Sequence, residues 1–227
     1  MKIAVRISLI ISIIVLGYLC VMSIVTPIRF DEERTLREKA IVTNLIHVRK
    51  AQIEFKNQFG HYTANTDSLM DFVINGKMPV VLKEGTLTDE QLLAGLTEAK
   101  ALKIVNSGKT KEIEANGLQN FRRDTSYVSV YESLFTDVLT IEQVKNIVVI
   151  PYSNGQKFEM ETRMHTNASS GIVIPLFEAR AHYETYLNDL SRQEMVNLID
   201  ERTKLEKYTG LKVGSIDEPN NNAGNWE

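Results

Sequence analysis

Ile7–Ile28 reads ISLIISIIVLGYLCVMSIVTPI, and the segment behind it, residues 29–60, carries apolar or uncharged side chains at Ile41, Leu45, Val48, Gln52, Phe55 and Phe59. These two stretches decide the fold. No charge lies between Arg6 and Arg29, and a helix of about 20 apolar residues crosses roughly 30 Å of hydrocarbon. One transmembrane helix is expected over 7–28, behind a short tail of residues 1–6. A cleavable signal peptide is the competing reading, since Lys2 and Arg6 form a basic leader. The apolar run exceeds the roughly 7–15 residues of a signal core, however, and no small-residue cleavage site follows it. An uncleaved anchor is therefore favoured. Cys20 follows Leu19, which is too large for a lipidation site, so it reads as a free thiol in the anchor.

Residues 29–60 step at i, i+3 and i+4, which is helical spacing. Ala51 and Ile53 widen the stripe, whereas Arg49, Lys50, Glu54 and Lys56 fall away from its centre. An amphipathic helix is expected, one side pressed on something apolar and the other wet. Gly60 supplies its end, and Pro27 is expected to bend or interrupt the chain where it leaves the bilayer. Two partners suit the stripe: the protein's own sheet, which is favoured, or a second copy in a short coiled coil. The polar intrusions His47 and Gln52 weaken a coiled-coil seam.

Sidedness rests on two opposed signals. Lys2 and Arg6 precede the run, while Arg29, Arg34, Arg37 and Lys39 follow it, so the cation count alone favours a cytoplasmic C-terminal part. A short basic tail ahead of a first apolar helix behaves instead as a signal-anchor. The expectation is an inner (cytoplasmic) membrane protein, single-pass, with the C-terminal domain periplasmic.

The remainder, 61–227, has ordinary globular composition. The whole chain of 227 residues is 43% apolar and 24% charged, enough for one domain or two small ones. A net charge of −3 and a pI near 5.9 provide no field that would gather nucleic acid. The single cysteine excludes internal disulfides and thiolate metal clusters. Leu69, Phe72 and Val73 suggest a short helix ending at Asn75-Gly76, Met78–Leu82 is apolar and β-branched, and Thr88 with Gln91 forms a capping box opening a helix through about Val105. The polar stretch 106–120 reads as a surface loop.

Further on, Tyr127–Tyr131 alternates, with both tyrosines on one face, and Thr140 with Gln143 caps a brief helix. Ile147–Tyr152 and Phe158–Thr166 flank Asn154-Gly155, a type I′ signal, so a hairpin is expected. A turn at Asn167–Gly171 leads to a third strand, Gly171–Ala179, whose Pro175 calls for an edge position. The consequence is an antiparallel meander. A last helix opens at the capping box of Ser191 and Glu194, presents Met195, Leu198, Ile199 and Leu205, and stops near Tyr208.

This layout, an N-terminal membrane helix running into an amphipathic half and then an α+β part with an antiparallel sheet, resembles type IV pilins and type II secretion pseudopilins. Ala51-Gln52-Ile53-Glu54-Phe55-Lys56 followed by Gly60-His61-Tyr62-Thr63 is similar to the end of their long helix. Gly214-Ser215, Asp217 and then Asn222-Ala223-Gly224-Asn225-Trp226 resemble the C-terminus of the major pseudopilin. The resemblance implies a non-catalytic subunit or scaffold of an envelope secretion or pilus-type assembly, with protein partners or self-association beside the lipid bilayer. It also implies a calcium loop, for which Asp217 and Glu218 are the acidic candidates. Hard Ca²⁺ wants six to eight oxygens, and the run Asn220, Asn221, Asn222 adds no charge, so a metal-free tail plugged by Trp226 is favoured. The opening residues, Met1–Ile10, lack the Gly at which prepilin peptidase cuts and the Glu five positions into the run. A pilin-shaped subunit that stays anchored is the expectation.

Catalytic patterns do not assemble. His47, His61, His165 and His182 are far apart with no zinc-binding spacing, no G-x-S-x-G elbow occurs, and Gly108-Lys109-Thr110 lacks the earlier glycine of a phosphate loop. Arg122-Arg123-Asp124 reads as a solvated loop or a contact for a partner or head groups. The leading expectation is non-enzymatic, with Ile41, Leu45, Val48, Gln52, Phe55, Phe59 and Trp226 as packing or interaction residues. The alternative is a membrane-tethered adaptor dimerising through Leu36–Phe59, and an anchored enzyme comes third.

Overall fold

A computed structural model describes residues 2–166 and 171–227. In chain order these form α1 (Lys2–Phe59), α2 (Thr66–Asn75), β1 (Lys77–Glu84), α3 (Asp89–Leu93), α4 (Glu98–Asn106), α5 (Thr110–Ala115), β2 (Arg122–Ser129), α6 (Val130–Leu134), α7 (Ile141–Val144), β3 (Glu159–Thr166), β4 (Val173–His182), α8 (Tyr183–Tyr186), α9 (Arg192–Lys204) and β5 (Gly210–Gly214). The class is α+β with two small antiparallel sheets. The chain divides into two compact units, one of residues 1–71 with 137–227 and one of residues 72–136.

The dominant element is α1, a single helix of 58 residues. Pro27 does not interrupt it. Proline costs a helix the hydrogen bond to the carbonyl four residues back, yet the turns on either side continue, as prolines in apolar helices are often accommodated. The helix stops at Gly60, whose φ of +78° suits a left-handed terminal residue and whose N–H bonds to the Lys56 carbonyl at 2.8 Å. Its N-terminal part is long and apolar enough to cross a membrane, and none of that window is buried in the protein.

In the first unit, β3, β4 and β5 form a three-stranded antiparallel sheet in sequence order, with Met160 opposite Ala179 and Ala181 opposite Leu211. The expected hairpin is reduced. Asn154 and Gly155 do adopt positive φ (54° and 86°), but Tyr152 does too (63°), and the first arm shrinks to one bridge, Val149 to Lys157. Serine explains the tight path: Ser153 Oγ donates to the Ile150 carbonyl at 2.6 Å and accepts from Gln156 N at 3.1 Å. The third strand of the meander is instead β5, which follows α9 in the chain and was not expected from the sequence. Pro175 lies on the central strand, yet β5 reaches only as far as Glu178, so at Pro175 the strand is paired on one side, with Met164. The proline's need for an unpaired side is met locally. Of the expected turn at Asn167–Gly171, residues 167–170 lie outside the described residues. α9 ends at Lys204, earlier than Tyr208, and Leu205 is exposed; Ser191 precedes α9 without a side-chain capping bond.

In the second unit, β1 and β2 pair in register from Lys77 with Ser129 to Glu84 with Arg122. β2 ends at Ser129, so Tyr131 belongs to α6 and does not share a strand face with Tyr127. The capping box at Thr88 forms as expected, but its helix ends after Leu93; Gly95 at φ +82° turns the chain and Thr97 caps a separate α4. The stretch 106–120 is not simply a loop. It contains α5 and buries Leu118, which joins Ala101 and Phe121 in a small core with Leu96 and Ile113 packed against it.

Candidate interaction site along the long helix

Within the first unit α1 packs against β5. The stripe is the buried side: Ile41, Leu45, Val48, Ala51 and Gln52 are fully covered and Phe55 nearly so. Phe59 departs from the expectation. It is half exposed at the last residue of the helix, its ring tilted against that of Phe55 with centroids 4.5 Å apart. The sheet's opposing face is apolar for the same period-two reason that makes its other face polar: Phe177, Ala179, Ala181, Leu211 and Val213 are buried.

Four polar side chains fasten α1 to the chain around it. Arg37 donates to Asp189 Oδ1 and Oδ2 at 2.5 and 2.8 Å and to the Tyr186 carbonyl at 2.6 Å. Asn44 Nδ2 donates to the Val149 carbonyl at 3.1 Å. Arg49 donates to Glu227 Oε1 at 2.7 Å and to the Asn222 carbonyl at 3.2 Å. Gln52 donates to the Thr63 carbonyl at 2.6 Å and accepts from Thr63 N at 3.2 Å. Gln52 thus acts like a strand partner, which is why a polar residue sits in the apolar stripe.

The C-terminal tail closes the outer edge of β5. Gly214 N donates to the Ala223 carbonyl and Asn225 N to the Lys212 carbonyl, both at 3.0 Å, while Lys212 N donates to Asn225 Oδ1 at 3.0 Å. Trp226 is half-buried and its indole lies directly over Gly224, so close that a β-carbon there would overlap the ring. Asn222 Nδ2 reaches Tyr62 Oη at 3.2 Å. Asp217 faces Arg163 at 3.4 Å, and the Asp217 and Glu218 N–H groups donate to Ser215 Oγ. Among the described residues no three His, Cys, Asp or Glu side chains gather into a metal-binding group.

Electrostatics add two features that sequence reading missed. Arg180 on β4 bonds Glu159 at 2.9 Å and Glu161 at 3.1 Å on β3 and Glu178 on its own strand at 3.3 Å, and Lys212 on β5 donates to Glu178 at 2.8 Å. This ladder ties three strands on one face and holds the Arg180 pKa above its usual value, chiefly through Glu159. Lower on α1, burial raises the Glu38 carboxyl against the opposing pull of Arg34 and Arg202, and burial lowers the His47 imidazole, with Lys50 adding to the effect. The signal for Arg37 was present: it sits four residues before Ile41, a cation on the buried face of a helix, which needs a carboxylate partner. Its partner, 152 positions away, carried no such mark.

In the second unit Arg123 is likewise structural. It stacks on Phe121 at 4.0 Å, donates to the Glu84 and Gly85 carbonyls at 2.9 and 3.0 Å and pairs with Glu98 at 3.0 Å.

Compared with protein-family models, curated proteins and solved structures, the chain matches none.

Proposed function

We propose that this is a non-catalytic, single-pass membrane protein, a pilin-like or pseudopilin-like subunit or scaffold of an envelope assembly, anchored in the inner membrane with its folded part in the periplasm. The observation that carries the reading is the continuity of α1 from its apolar run into a sheet-packed half. A helix rises about 1.5 Å per residue. Such an element holds a folded unit at a fixed height above a bilayer, which suits a structural subunit. The resemblance of Ala51–Thr63 and of the Asn222–Trp226 tail to pseudopilins supports the same reading.

The tethered-adaptor alternative needs a free seam along Leu36–Phe59. The large apolar residues left exposed there are Leu36, Ile53 and Phe59. At about 100° per residue they fall some 120° apart around the helix, so they do not line one seam.

Protease access to the full chain in its native membrane, read from each side together with the N-terminal mass, tests the proposal. Digestion only from the periplasmic side with the N-terminus retained supports it. Digestion only from the cytoplasmic side sinks the envelope reading and makes an internal adaptor the better account.

A further inference from the structure

Where α1 leaves its apolar run, a groove of about 170 Å³ lies between the helix and the segment entering α9. Its apolar wall is Met22, Val25 and Phe30 of α1 with Leu190 of the loop, and its charged members are Arg29 and Glu33. Phe30 is 7% exposed, so the folded unit reaches down to the last turns of the apolar run. Met22 and Val25 belong to that run. If it spans a bilayer, as proposed above, the groove opens where the hydrocarbon meets the head groups.

The charges in the groove are available. Among the described residues Arg29 makes no ion pair, while Arg34 pairs with Asp31 and Arg37 with Asp189. Glu33 is 55% exposed and among the described residues pairs only with the Arg37 Nε, at 4.0 Å, and the Arg37 fork is already filled by Asp189. Glu33 lies one turn beyond Arg29, about 6 Å further along the axis. The order outward along the helix is therefore the apolar Met22 and Val25, then the cation with Phe30 beside it, then the anion.

We propose that this groove binds one zwitterionic aminophospholipid of the surrounding bilayer, with an acyl chain against Met22, Val25, Phe30 and Leu190, its phosphate on Arg29 and its primary ammonium on Glu33. In such a lipid the phosphate lies nearer the chains and the ammonium further out, joined by a two-carbon bridge, which matches the order of the two side chains. An ammonium donates hydrogen bonds to a carboxylate, whereas a quaternary amine has no N–H to give. A purely anionic head group would leave Glu33 without its cation. The groove is too small for a whole lipid, so the remainder of the chains stays in the bilayer.

The inference rests on the membrane-spanning reading, and one experiment separates the two. The full chain is reconstituted in vesicles of equal phosphatidylethanolamine, phosphatidylcholine and phosphatidylglycerol, floated, then extracted into mild detergent, and retained lipid is identified by native mass spectrometry. The expected result is co-flotation with one retained phosphatidylethanolamine, enriched roughly tenfold over the others, as one charge-assisted contact would give. Arg29→Ala lowers retention of every lipid, and Glu33→Gln keeps retention but removes the preference for phosphatidylethanolamine over phosphatidylcholine, both with unchanged melting. Co-flotation with lipids retained in bulk proportion, or a preference indifferent to both substitutions, overturns the lipid site alone. Failure to float overturns the membrane reading and the site with it.

Discussion

Arg37 and Asp189 meet fork to fork, two N–H groups on two carboxylate oxygens, with the arginine 7% exposed and a Tyr152 ring 5.0 Å from its guanidinium carbon. The same Nη1 also satisfies the Tyr186 carbonyl. One side chain on the long helix thereby fixes the loop between α8 and α9. Planar two-point recognition is a property of arginine that lysine lacks.

Replacing this residue tests the fork. Arg37→Ala leaves the Tyr186 carbonyl and Asp189 unmatched, and a charged hydrogen bond contributes about 1.5–3 kcal/mol; because Asp189 is largely exposed, the lower half of that range is expected. Arg37→Lys recovers little of it. Thermal unfolding of the full chain in micelles measures both, and a lysine variant as stable as the wild type would remove the bidentate geometry from the argument.

Acid should loosen the same contact. Arg37 holds the Asp189 carboxyl below its ordinary value, so the stabilisation is complete above the unfolded-chain value, about 3.9, and is lost as pH falls through the lower folded value. Asp189→Asn abolishes that part of the acid limb. A melting-temperature profile from pH 6 to pH 2 reads it directly, and coincident profiles would refute the linkage.

His47 works at a higher pH. Burial lowers its imidazole pKa, with Lys50 contributing, so the folded state prefers the neutral ring. Stability is full above the unfolded-chain value, about 6.5, and declines as pH falls from there toward the lower folded value. His47→Asn should flatten the profile below about pH 6.5. Direct titration by histidine NMR gives the independent check, since a ring titrating at or above 6.5 contradicts the expectation.

Gln52 and Thr63 bond each other in both directions at 2.6 and 3.2 Å. Gln52→Met keeps the volume of the stripe but strands a carbonyl and an N–H, at a cost of about 1–3 kcal/mol. The loss should appear as faster hydrogen exchange at Thr63, ahead of any change in the sheet. Equal exchange would mean that water replaces the side chain without penalty.

The tail provides a fourth kind of test. Deleting residues 220–227 uncovers the β5 edge and removes the Arg49–Glu227 contact. An exposed edge pairs with other chains, so the truncated protein should exchange Lys212 and Gly214 amides faster and self-associate in detergent. Gly224→Ala produces a milder version by displacing Trp226. A truncated chain that stays monodisperse with protected Lys212 and Gly214 amides would show the tail to be ornamental.

The elements that local patterning defines were legible from the chain. The apolar run and the 3.6-residue stripe specify α1 because hydrophobic period is a property of neighbouring residues; the boxes at Thr88 and Thr140 cap helices because three-residue spacing suffices for the bond. The elements that failed were those decided at a distance. β5, with a single charged residue in five positions, becomes a strand because β4 on one side and the tail on the other supply its hydrogen bonds, and the run Ile147–Tyr152, β-branched and apolar, lacks a strand's neighbours and stays a bridge and turns. Pro27 is a local breaker that the surrounding helix overrides.

By itself, then, the sequence determined the long apolar helix, the amphipathic face and the class of fold, since these follow from composition and period. Only the tertiary structure decided which partners complete that face. The Asp189, Glu227 and Thr63 groups that meet Arg37, Arg49 and Gln52 are ordinary polar residues in polar surroundings, and nothing local marks them. Their roles exist only because folding buries a cation or an amide on α1 and leaves a charge or a hydrogen bond to be satisfied.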